Sequence, residues 1–462
     1  MSIGIDIIRG QAIQSIGSAD HLIGRLAIMT DSRKPHRNSL FVPLIGDHFN
    51  GHQFINKAIE NGASAALWME REPLPQDLPA NFPLFLVRDT LKALQNMAKS
   101  YLNQVQPKVI AVTGSNGKTT TKDMLYSILQ GAFRTFKTQG NLNNHIGVPL
   151  TILAMPEDTE VLVLEMGMNH FGELTFLSQI AKPNVALITN IGESHIEYLG
   201  SRAGIAKAKL EIVNGLKKHG TLIIDGDEPL LAPVQTNAFQ IVRCGYGDHN
   251  NWHIEDVEES LTGTRFSLRG QKHPFDLPVL GKHNVKNAAL SFAAARVIGT
   301  EVDTIRHGLA HLQLTHLRFE RINGLNGSLL INDCYNANPT SMKASLETLK
   351  NLSGYDRRVA VLGDMYELGK NEKVMHKGVA AELTPPLTHV VTIGNKGAWI
   401  ADGLREQSSD SAVEVRVYKT KKEALPYLQS LLDARTVMLF KASRRMALEQ
   451  LSSHLQAEAP AD

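Results

Sequence analysis

One segment, VIAVTGSNGKTTTKDMLYSIL from Val109 to Leu129, constrains the fold of this chain more than any other. An apolar strand runs into a glycine-containing loop, and apolar side chains then recur at helical spacing. Glycines let the backbone turn sharply and aim N–H groups at a phosphate, where the helix N-terminus adds partial positive charge. We therefore predict a phosphate-binding loop made by Gly114, Ser115, Asn116, Gly117, Lys118, Thr119 and Thr120.

In such a loop we expect Lys118 to reach the terminal phosphates of a nucleotide and the Thr119 hydroxyl to bind magnesium. The alternative is a plain glycine-rich turn from a strand into a helix. The strand, the Gly-Lys-Thr-Thr sequence and the amphipathic helix occur together, which favours the phosphate loop. One departure from the usual spacing is that Val112 stands where the first glycine is normally found.

Further strand and helix patterns follow along the chain. KVIAVTG, VLVLEMG, NVALITNIG and GTLIIDGD are continuous apolar runs, which suit a parallel sheet covered on both faces. GSLLINDCY, RVAVLGDM, HVVTIG and TVMLFKA form a second series, as in doubly wound α/β domains. Before the loop, the strand LFVPLI and a helix ending at NGASAAL are typical of a small α/β unit. Near the C-terminus, we expect a helix to begin around Ser443, where its first N–H groups can bind an anion.

We predict an α/β protein of three domains. The first is a small N-terminal α/β domain over residues 1–88, and the second is a central ATPase-like domain with the P-loop and a parallel sheet over residues 89–314. The third is a C-terminal Rossmann-like α/β domain over residues 315–462. A chain of 462 residues is long enough to give each of them its own core.

Composition narrows the class of function. The formal net charge of +2 is too small to indicate a nucleic-acid partner. Two cysteines, Cys244 and Cys334, do not make a disulfide framework, and a reducing compartment suits them. No apolar run has the length of a membrane-spanning helix. We expect a cytoplasmic protein with no nucleic-acid partner and no membrane insertion.

Three residues beyond the loop are candidates for the chemistry of a bound nucleotide. Glu165 ends the strand VLVLE, and His195 follows the next strand, at the sheet edge where ligands of open α/β folds collect. Taken singly, each could be an ordinary surface or structural residue. Lys209, in GIAKAKLEI, belongs by its pattern to a charged helical face beside Lys207 and Glu211.

The variant T-G-x-N-G-K-T-T, from Thr113 to Thr120, resembles the loop of the Mur ligase family and of folylpolyglutamate synthases rather than that of kinases or GTPases. The resemblance covers nearly the whole chain. It rests also on TQGNLNNHIGVPLTIL, EMGMNHFGEL, INDCYNANPTSM and SLFVPLIGDHFNGHQFI. It implies ATP and magnesium ions, with Lys209 carbamylated and so turned into an anionic magnesium ligand beside Thr119, Glu165 and His195.

The resemblance also implies the remaining site residues. It assigns catalytic roles to Lys118, Lys209 and His195, and ATP contacts to Asn287, Arg318 and Asp333. The residues it assigns to the sugar-nucleotide and peptide substrate are Ser32, Arg33, Asn50, His52, Asn141, Asn143 and Asn144. From the residues alone, Arg33 can pair with a diphosphate, although an ordinary polar loop explains the same sequence.

The activity that the resemblance implies is ATP-dependent amide formation between UDP-N-acetylmuramoyl-tripeptide and D-alanyl-D-alanine through an acyl phosphate. We expect a monomer whose domains close around these substrates. Two alternatives remain: a sibling ligase that adds the third residue or resembles folylpolyglutamate synthase, and a non-catalytic nucleotide-binding protein. EMGMNHFGEL and the lack of an Asp-Asn-Pro-Arg sequence count against the sibling that adds diaminopimelate. The presence of Lys118, Glu165, His195 and Lys209 together counts against the non-catalytic protein.

Overall fold

The computed structural model describes residues 3–19, 22, 24–260, 262–407 and 412–457. Over these residues three β-sheets follow one another along the chain, within residues 3–87, 108–277 and 320–441. The predicted α/β fold is therefore confirmed, while the limits of the three domains stay predictions. Across the described ranges, no helix is long and apolar enough to cross a membrane.

The first sheet is mixed. Its elements are β1 (Ile3–Gly4), α1 (Ile5–Arg9), β2 (Gln14–Ile16), β3 (Arg25–Met29), β4 (Ser39–Phe41), α2 (Ile55–Glu60), β5 (Ala63–Met69) and β6 (Leu84–Val87). Strands β3 to β6 are parallel, and β1 and β2 join the two edges in antiparallel pairs. The helix predicted to end at NGASAAL was wrong at its end, because Gly62, with φ of +102°, turns the chain into β5.

The second sheet carries the predicted loop. Its elements are α3 (Thr90–Val105), β7 (Lys108–Thr113), α4 (Lys118–Leu129), β8 (Thr135–Lys137), α5 (Gly147–Ala154), β9 (Val161–Glu165), α6 (Glu173–Ala181), β10 (Val185–Ile188), α7 (Ile196–Leu199), α8 (Arg202–Leu210), β11 (Thr221–Asp225), β12 (Gln240–Gly245), β13 (Trp252–Glu259), β14 (Thr264–Leu268), β15 (Phe275–Leu277), α9 (Lys282–Ile298) and α10 (Val302–Ala310). The strand order is β15-β14-β13-β12-β11-β10-β7-β9-β8. Strand β7 therefore lies between β10 and β9, and the ends of all three strands surround the loop.

Part of this sheet was not predicted. Strands β13, β14 and β15 pair antiparallel and extend one edge. Strand β13 has the sequence WHIEDVEE. Its polar residues interrupt the continuous apolar run by which the other strands were predicted. The helix after the loop packs as its spacing predicts: Met124, Leu125, Ile128 and Leu129 are fully buried. Burial of each such side chain contributes about 1.5–3 kcal/mol, so α4 is firmly fixed to the sheet.

The third sheet has the predicted doubly wound form. Its elements are β16 (Glu320–Asn323), β17 (Leu329–Asn332), α11 (Pro339–Asn351), β18 (Arg357–Gly363), α12 (Glu372–Gly378), β19 (His389–Ile393), α13 (Ala398–Gln407), β20 (Glu414–Tyr418), α14 (Lys421–Ser430), β21 (Thr436–Lys441) and α15 (Glu449–Leu455). The order is β16-β17-β21-β18-β19-β20, parallel except for β16. The helix start predicted around Ser443 was wrong. A 3-10 turn, Arg444–Met446, occurs there, and the Ser443 N–H donates to the Asp364 carbonyl at 3.0 Å instead of facing an anion.

Candidate active site

The predicted phosphate loop joins β7 to α4 at the carboxyl edge of the central sheet. Gly117 has φ of +78°, and a Cβ at that position would lie 2.7 Å from Asn287 Oδ1. A Cβ on Gly114 would lie 1.8 Å from Thr189 Oγ1. Both positions therefore require glycine. No side chain caps α4, so its first N–H groups are available to an anion.

A second loop, which follows β10, holds the phosphate loop in this shape. The Ser115 and Asn116 N–H groups donate to the carbonyl and the side-chain Oδ1 of Asn190, at 3.1 and 2.9 Å. The Gly192 N–H donates to Ser115 Oγ at 2.8 Å. We had not identified Asn190 from sequence, although its place just after a buried strand next to β7 was a usable signal.

Lys118 lies across the loop. Its Nζ donates to the Gly114 carbonyl at 2.7 Å and to the Ser115 carbonyl at 3.4 Å. Burial lowers the pKa of Lys118 to about 8, and the nearby Glu165 carboxylate opposes that shift. Bonds from an ammonium to phosphate oxygens are stronger than bonds to carbonyls, so a triphosphate in this loop would compete well for the Lys118 side chain.

Glu165 ends β9 beside the loop and is 2% exposed. Its Oε2 accepts a hydrogen bond from Thr119 Oγ1 at 2.9 Å, and its Oε1 accepts one from Asn143 Nδ2 at 2.9 Å. A threonine hydroxyl and a carboxylate in contact are the hard oxygen donors that magnesium prefers. Thr119 and Glu165 therefore fit a magnesium ion next to a bound phosphate.

Lys209 corrects the pattern-based assignment to a charged helical face. Lys207 is exposed on α8, but Lys209 is only 2% exposed. Among the described residues, no carboxylate pairs with it and no hydrogen bond reaches its Nζ. Burial, and then the positive charge of Lys118, hold the pKa of Lys209 well below its ordinary value. A buried lysine without a partner is costly, which indicates a function other than stability.

His195 is oriented from the third domain. It precedes α7 with φ of +63°, and its Nδ1 lies 2.7 Å from Glu367 Oε2. This imidazole lowers the pKa of the half-buried Glu367 carboxyl. In many metal sites, a carboxylate next to one ring nitrogen of a histidine orients the ring so that the other nitrogen can bind the metal ion.

Other residues of the third domain reach the phosphate loop directly. Arg318 Nη2 donates to Thr119 Oγ1 at 3.2 Å, and its guanidinium lies 3.9 Å over the Tyr335 ring. Asn338 Nδ2 donates to Asn116 Oδ1 at 2.7 Å, and Asn116 Nδ2 donates back to Asn338 Oδ1 at 3.3 Å. The structure thus holds the third domain against the loop, and opening of the free protein stays a prediction.

These groups surround one cavity of about 420 Å³. The predicted site residues that line it are Ser115, Asn116, Gly117, Lys118, Thr120, Asn143, Asn144, Glu165, His195, Asn287, Arg318 and Asp333. Asp333 accepts from Lys441 Nζ at 2.5 Å and from Ser345 Oγ at 2.7 Å. His283 also lines the cavity, and burial lowers its pKa to about 4. We had not identified His283 from sequence, although its position one helical turn before Asn287 was a signal that the two residues lie on the same face of α9.

The remaining predicted residues lie off the lining of this cavity; they are Gly114, Thr119, Lys209, Ser32, Arg33, Asn50, His52 and Asn141. The Arg33 side chain is exposed and pairs with Asp31 at 2.8 Å. His52 is buried, with Nδ1 at 2.7 Å from Asn50 Oδ1 and Nε2 accepting from the Met69 N–H at 3.3 Å. Asn50 and His52 therefore stabilise their own loop through these hydrogen bonds, and their binding of substrate stays a prediction.

The fold and this cavity define a phosphate-loop nucleotide-binding protein whose site is completed by a second α/β domain. Residues 27–102 match the catalytic domain of the Mur ligase family, residues 112–295 the Mur ligase middle domain, and residues 317–444 the Mur ligase glutamate ligase domain. A Bacillus subtilis (strain 168) protein, UDP-N-acetylmuramoyl-tripeptide--D-alanyl-D-alanine ligase, is 48% identical over 93% of this chain and 92% of its own length. The chain belongs to the Mur ligase family.

Solved structures agree with this assignment. A crystal structure of MurF from Acinetobacter baumannii is 32% identical, with a TM-score of 0.86 over 98% of this chain and 99% of that chain. MurF ligase from Thermotoga maritima in complex with ADP is 29% identical, with a TM-score of 0.82 over 95% of this chain and 98% of that chain. The three-domain α/β architecture is therefore the one found in these ligases.

Proposed function

We propose that this chain joins the free carboxylate of UDP-N-acetylmuramoyl-tripeptide to the amino group of D-alanyl-D-alanine, using ATP. The observation that carries the proposal is the cavity in which a phosphate loop, the strand-end Glu165 and Arg318 of the third domain meet. The similar B. subtilis protein, named for this reaction, supports the choice of substrates.

The residues of the cavity suit transfer of a phosphoryl group to a carboxylate. Lys118 and the free N–H groups of α4 bind the β- and γ-phosphates from one side, and Arg318 approaches from the other. Both place positive charge where negative charge spreads over the transferring group. The substrate carboxylate forms a bond to the γ-phosphorus as the bond to ADP breaks, which gives an acyl phosphate.

The second half of the reaction needs no protein nucleophile. The amine of the dipeptide attacks the acyl carbon, phosphate leaves with the bonding electron pair, and the nitrogen loses a proton as the amide forms. Residues of the second and third domains line the cavity, and closure of these domains around the substrates would keep water from the acyl phosphate.

Thr119, Glu165 and His195 would hold magnesium, which supplies positive charge to the phosphate oxygens. Lys209 would join them as a carbamate. Its lowered pKa favours the neutral amine, which is the form that adds to carbon dioxide. The product is an anion, which suits a buried position beside Lys118 better than a second ammonium.

The sugar nucleotide is expected to reach the cavity from the first domain, past Asn143 and Asn144, with Arg33 near its diphosphate. We place the reaction in the cytoplasm and in a monomer. The buried thiols Cys244 and Cys334 are both free, which suits a reducing compartment.

The test is ligation itself. Purified protein, magnesium, ATP, UDP-N-acetylmuramoyl-tripeptide and D-alanyl-D-alanine should yield ADP, phosphate and one ligated product, measured by mass spectrometry. Lys118→Met should abolish the product, whereas Lys207→Met, an exposed lysine on α8, should retain it. Equal rates for the two variants would refute the assigned role of the loop lysine.

Alternative acceptors separate the rival functions. Ligation of free glutamate, lysine or diaminopimelate in place of the dipeptide would indicate a sibling ligase. ATP binding or slow hydrolysis with no acyl phosphate and no ligation, for any precursor, would indicate a non-catalytic nucleotide-binding protein.

A further inference from the structure

Among the described residues, Asp123 is one of several buried carboxylates that the mechanism above does not use. Asp123 lies on α4, one helical turn after Thr119, and is 1% exposed. Its two oxygens have separate partners. Oδ1 lies 2.6 Å from Lys137 Nζ and 3.6 Å from Lys122 Nζ. Oδ2 accepts from the Thr315 N–H at 3.0 Å and from Thr315 Oγ1 at 2.7 Å.

Thr315 belongs to the segment that connects α10 to β16, residues 311–319, here called the linker. Leu317 and Phe319 in the linker have φ of +66° and +52°. These left-handed conformations are costly for bulky residues and persist only where the surroundings hold them. At its far end, the Leu317 N–H donates to Glu320 at 3.0 Å, and Phe319 is buried in the core of the third domain.

The linker therefore crosses α4 at two levels. Thr315 is bonded to Asp123 on the second turn of the helix, and Arg318 is bonded to Thr119 on the first. Residues four apart lie on the same face of a helix, so both contacts use one face of α4. The strained backbone between them gives Arg318 little freedom once Thr315 is fixed.

We propose that Asp123 is a positioning residue that fixes the linker through Thr315 and so holds the Arg318 guanidinium beside Thr119 and the phosphate loop. The inference rests on the proposed function in one respect, because Arg318 is taken to act on ATP. The competing explanation is that Asp123 only neutralises Lys122 and Lys137. That explanation accounts for Oδ1 but not for Oδ2, both of whose partners are on Thr315.

The test removes one hydrogen bond and leaves the ion pairs in place. Thr315→Val has nearly the same shape but no hydroxyl, and Thr315→Ser returns the hydroxyl. A matched control is Thr264→Val, which removes a buried hydroxyl that donates to the Val279 carbonyl at 2.9 Å, far along the chain in β14. The readouts are kcat, KM for ATP and the Kd of magnesium-ATP without precursor.

A hydrogen bond to a charged group is strong enough that its loss should lower kcat/KM for ATP about tenfold. We expect this loss in Thr315→Val and in a second variant, Thr315→Ala. Thr315→Ser should recover most of the activity, and Thr264→Val should match the wild type. Wild-type kinetics in Thr315→Val and Thr315→Ala would overturn the proposal.

A double-mutant cycle with Arg318→Lys tests the connection itself. If Asp123 acts through Arg318, the Arg318→Lys substitution should weaken ATP binding much less in the Thr315→Val protein than in the wild type. If the two effects simply multiply, the proposed connection is wrong. The cycle measures ATP affinity and not ligation. The positioning role of Asp123 can therefore be refuted while the wild type still ligates. Absence of ligation by the wild type would contradict the proposed function and not the positioning role.

Discussion

Lys209→Met should stabilise this protein while abolishing its activity. Methionine is about as long as lysine and apolar, so it can occupy the 2% exposed position with similar packing. A buried polar group without a hydrogen bond costs roughly 1–3 kcal/mol in mutational data. Allowing for imperfect packing of the new thioether, we expect the free energy of unfolding to rise by about 1–2 kcal/mol. For a domain of this size the melting temperature should rise by roughly 2–8 °C.

The gain should depend on pH, with a definite sign. The pKa of Lys209 is lowered in the folded protein, first by burial and then by Lys118. Between that lowered pKa and the unfolded value of about 10.5, the unfolded chain binds more protons than the native one, so wild-type stability rises with pH. Methionine does not titrate, and its advantage should be large near pH 7 and shrink as the pH approaches 10.

The assay is calorimetric melting in buffer freed of carbon dioxide, together with the ligation rate of each variant measured separately in buffer that contains bicarbonate. The matched control is Lys207→Met, which removes an exposed lysine two residues away on the same helix. It should change neither the melting temperature nor the rate appreciably. A Lys209→Met protein that melts below the wild type at pH 7 would show that the lysine is not an unpaired buried group. Normal ligation by that variant would remove Lys209 from the mechanism.

Three further predictions follow from the geometry of the loop. Gly117→Ala should weaken ATP binding at least a hundredfold in calorimetry, because its Cβ would lie 2.7 Å from Asn287 Oδ1; unchanged affinity would contradict the close approach. Asn338→Ser keeps an N-cap for α11 but loses both hydrogen bonds of the amide pair with Asn116, so KM for ATP should rise at least fivefold, which corresponds to about 1 kcal/mol. The control is Ser341→Ala, which breaks the capping box and keeps the amide pair, and an equal effect there would argue for simple helix destabilisation. Chelation of magnesium should stop ATP-dependent phosphate release and its return should restore it, whereas release that persists in chelator would exclude the proposed metal role of Thr119 and Glu165.

Much of the fold could be predicted because its signals are local. The phosphate loop is contiguous, so strand, glycines and helix start can be recognised within residues 109–129. Continuous apolar runs predicted parallel strands that the structure contains, such as Val161–Glu165 and Arg357–Gly363. The antiparallel strand Trp252–Glu259 was missed because one of its faces is polar. The three-domain α/β organisation therefore followed from patterns within short windows.

The environments of the site residues could not be predicted in this way. Whether Lys209 faces solvent or the interior depends on what packs against α8, and its neighbours in sequence, Lys207 and Glu211, indicated solvent. The partners Asp123 and Thr315 are 192 positions apart, and Asn116 and Asn338 are 222 apart. No local sequence pattern predicts which residues, far away in the sequence, a side chain will contact in the folded protein.

The sequence by itself determined that a phosphate loop begins a helix at Lys118, because glycine conformation and helix start are properties of adjacent residues. Only the tertiary structure decided which contacts Glu165 and Arg318 make at that loop and that Lys209 is buried near it. Their contacts join separate strands, helices and domains, and such contacts form only when the three sheets pack together.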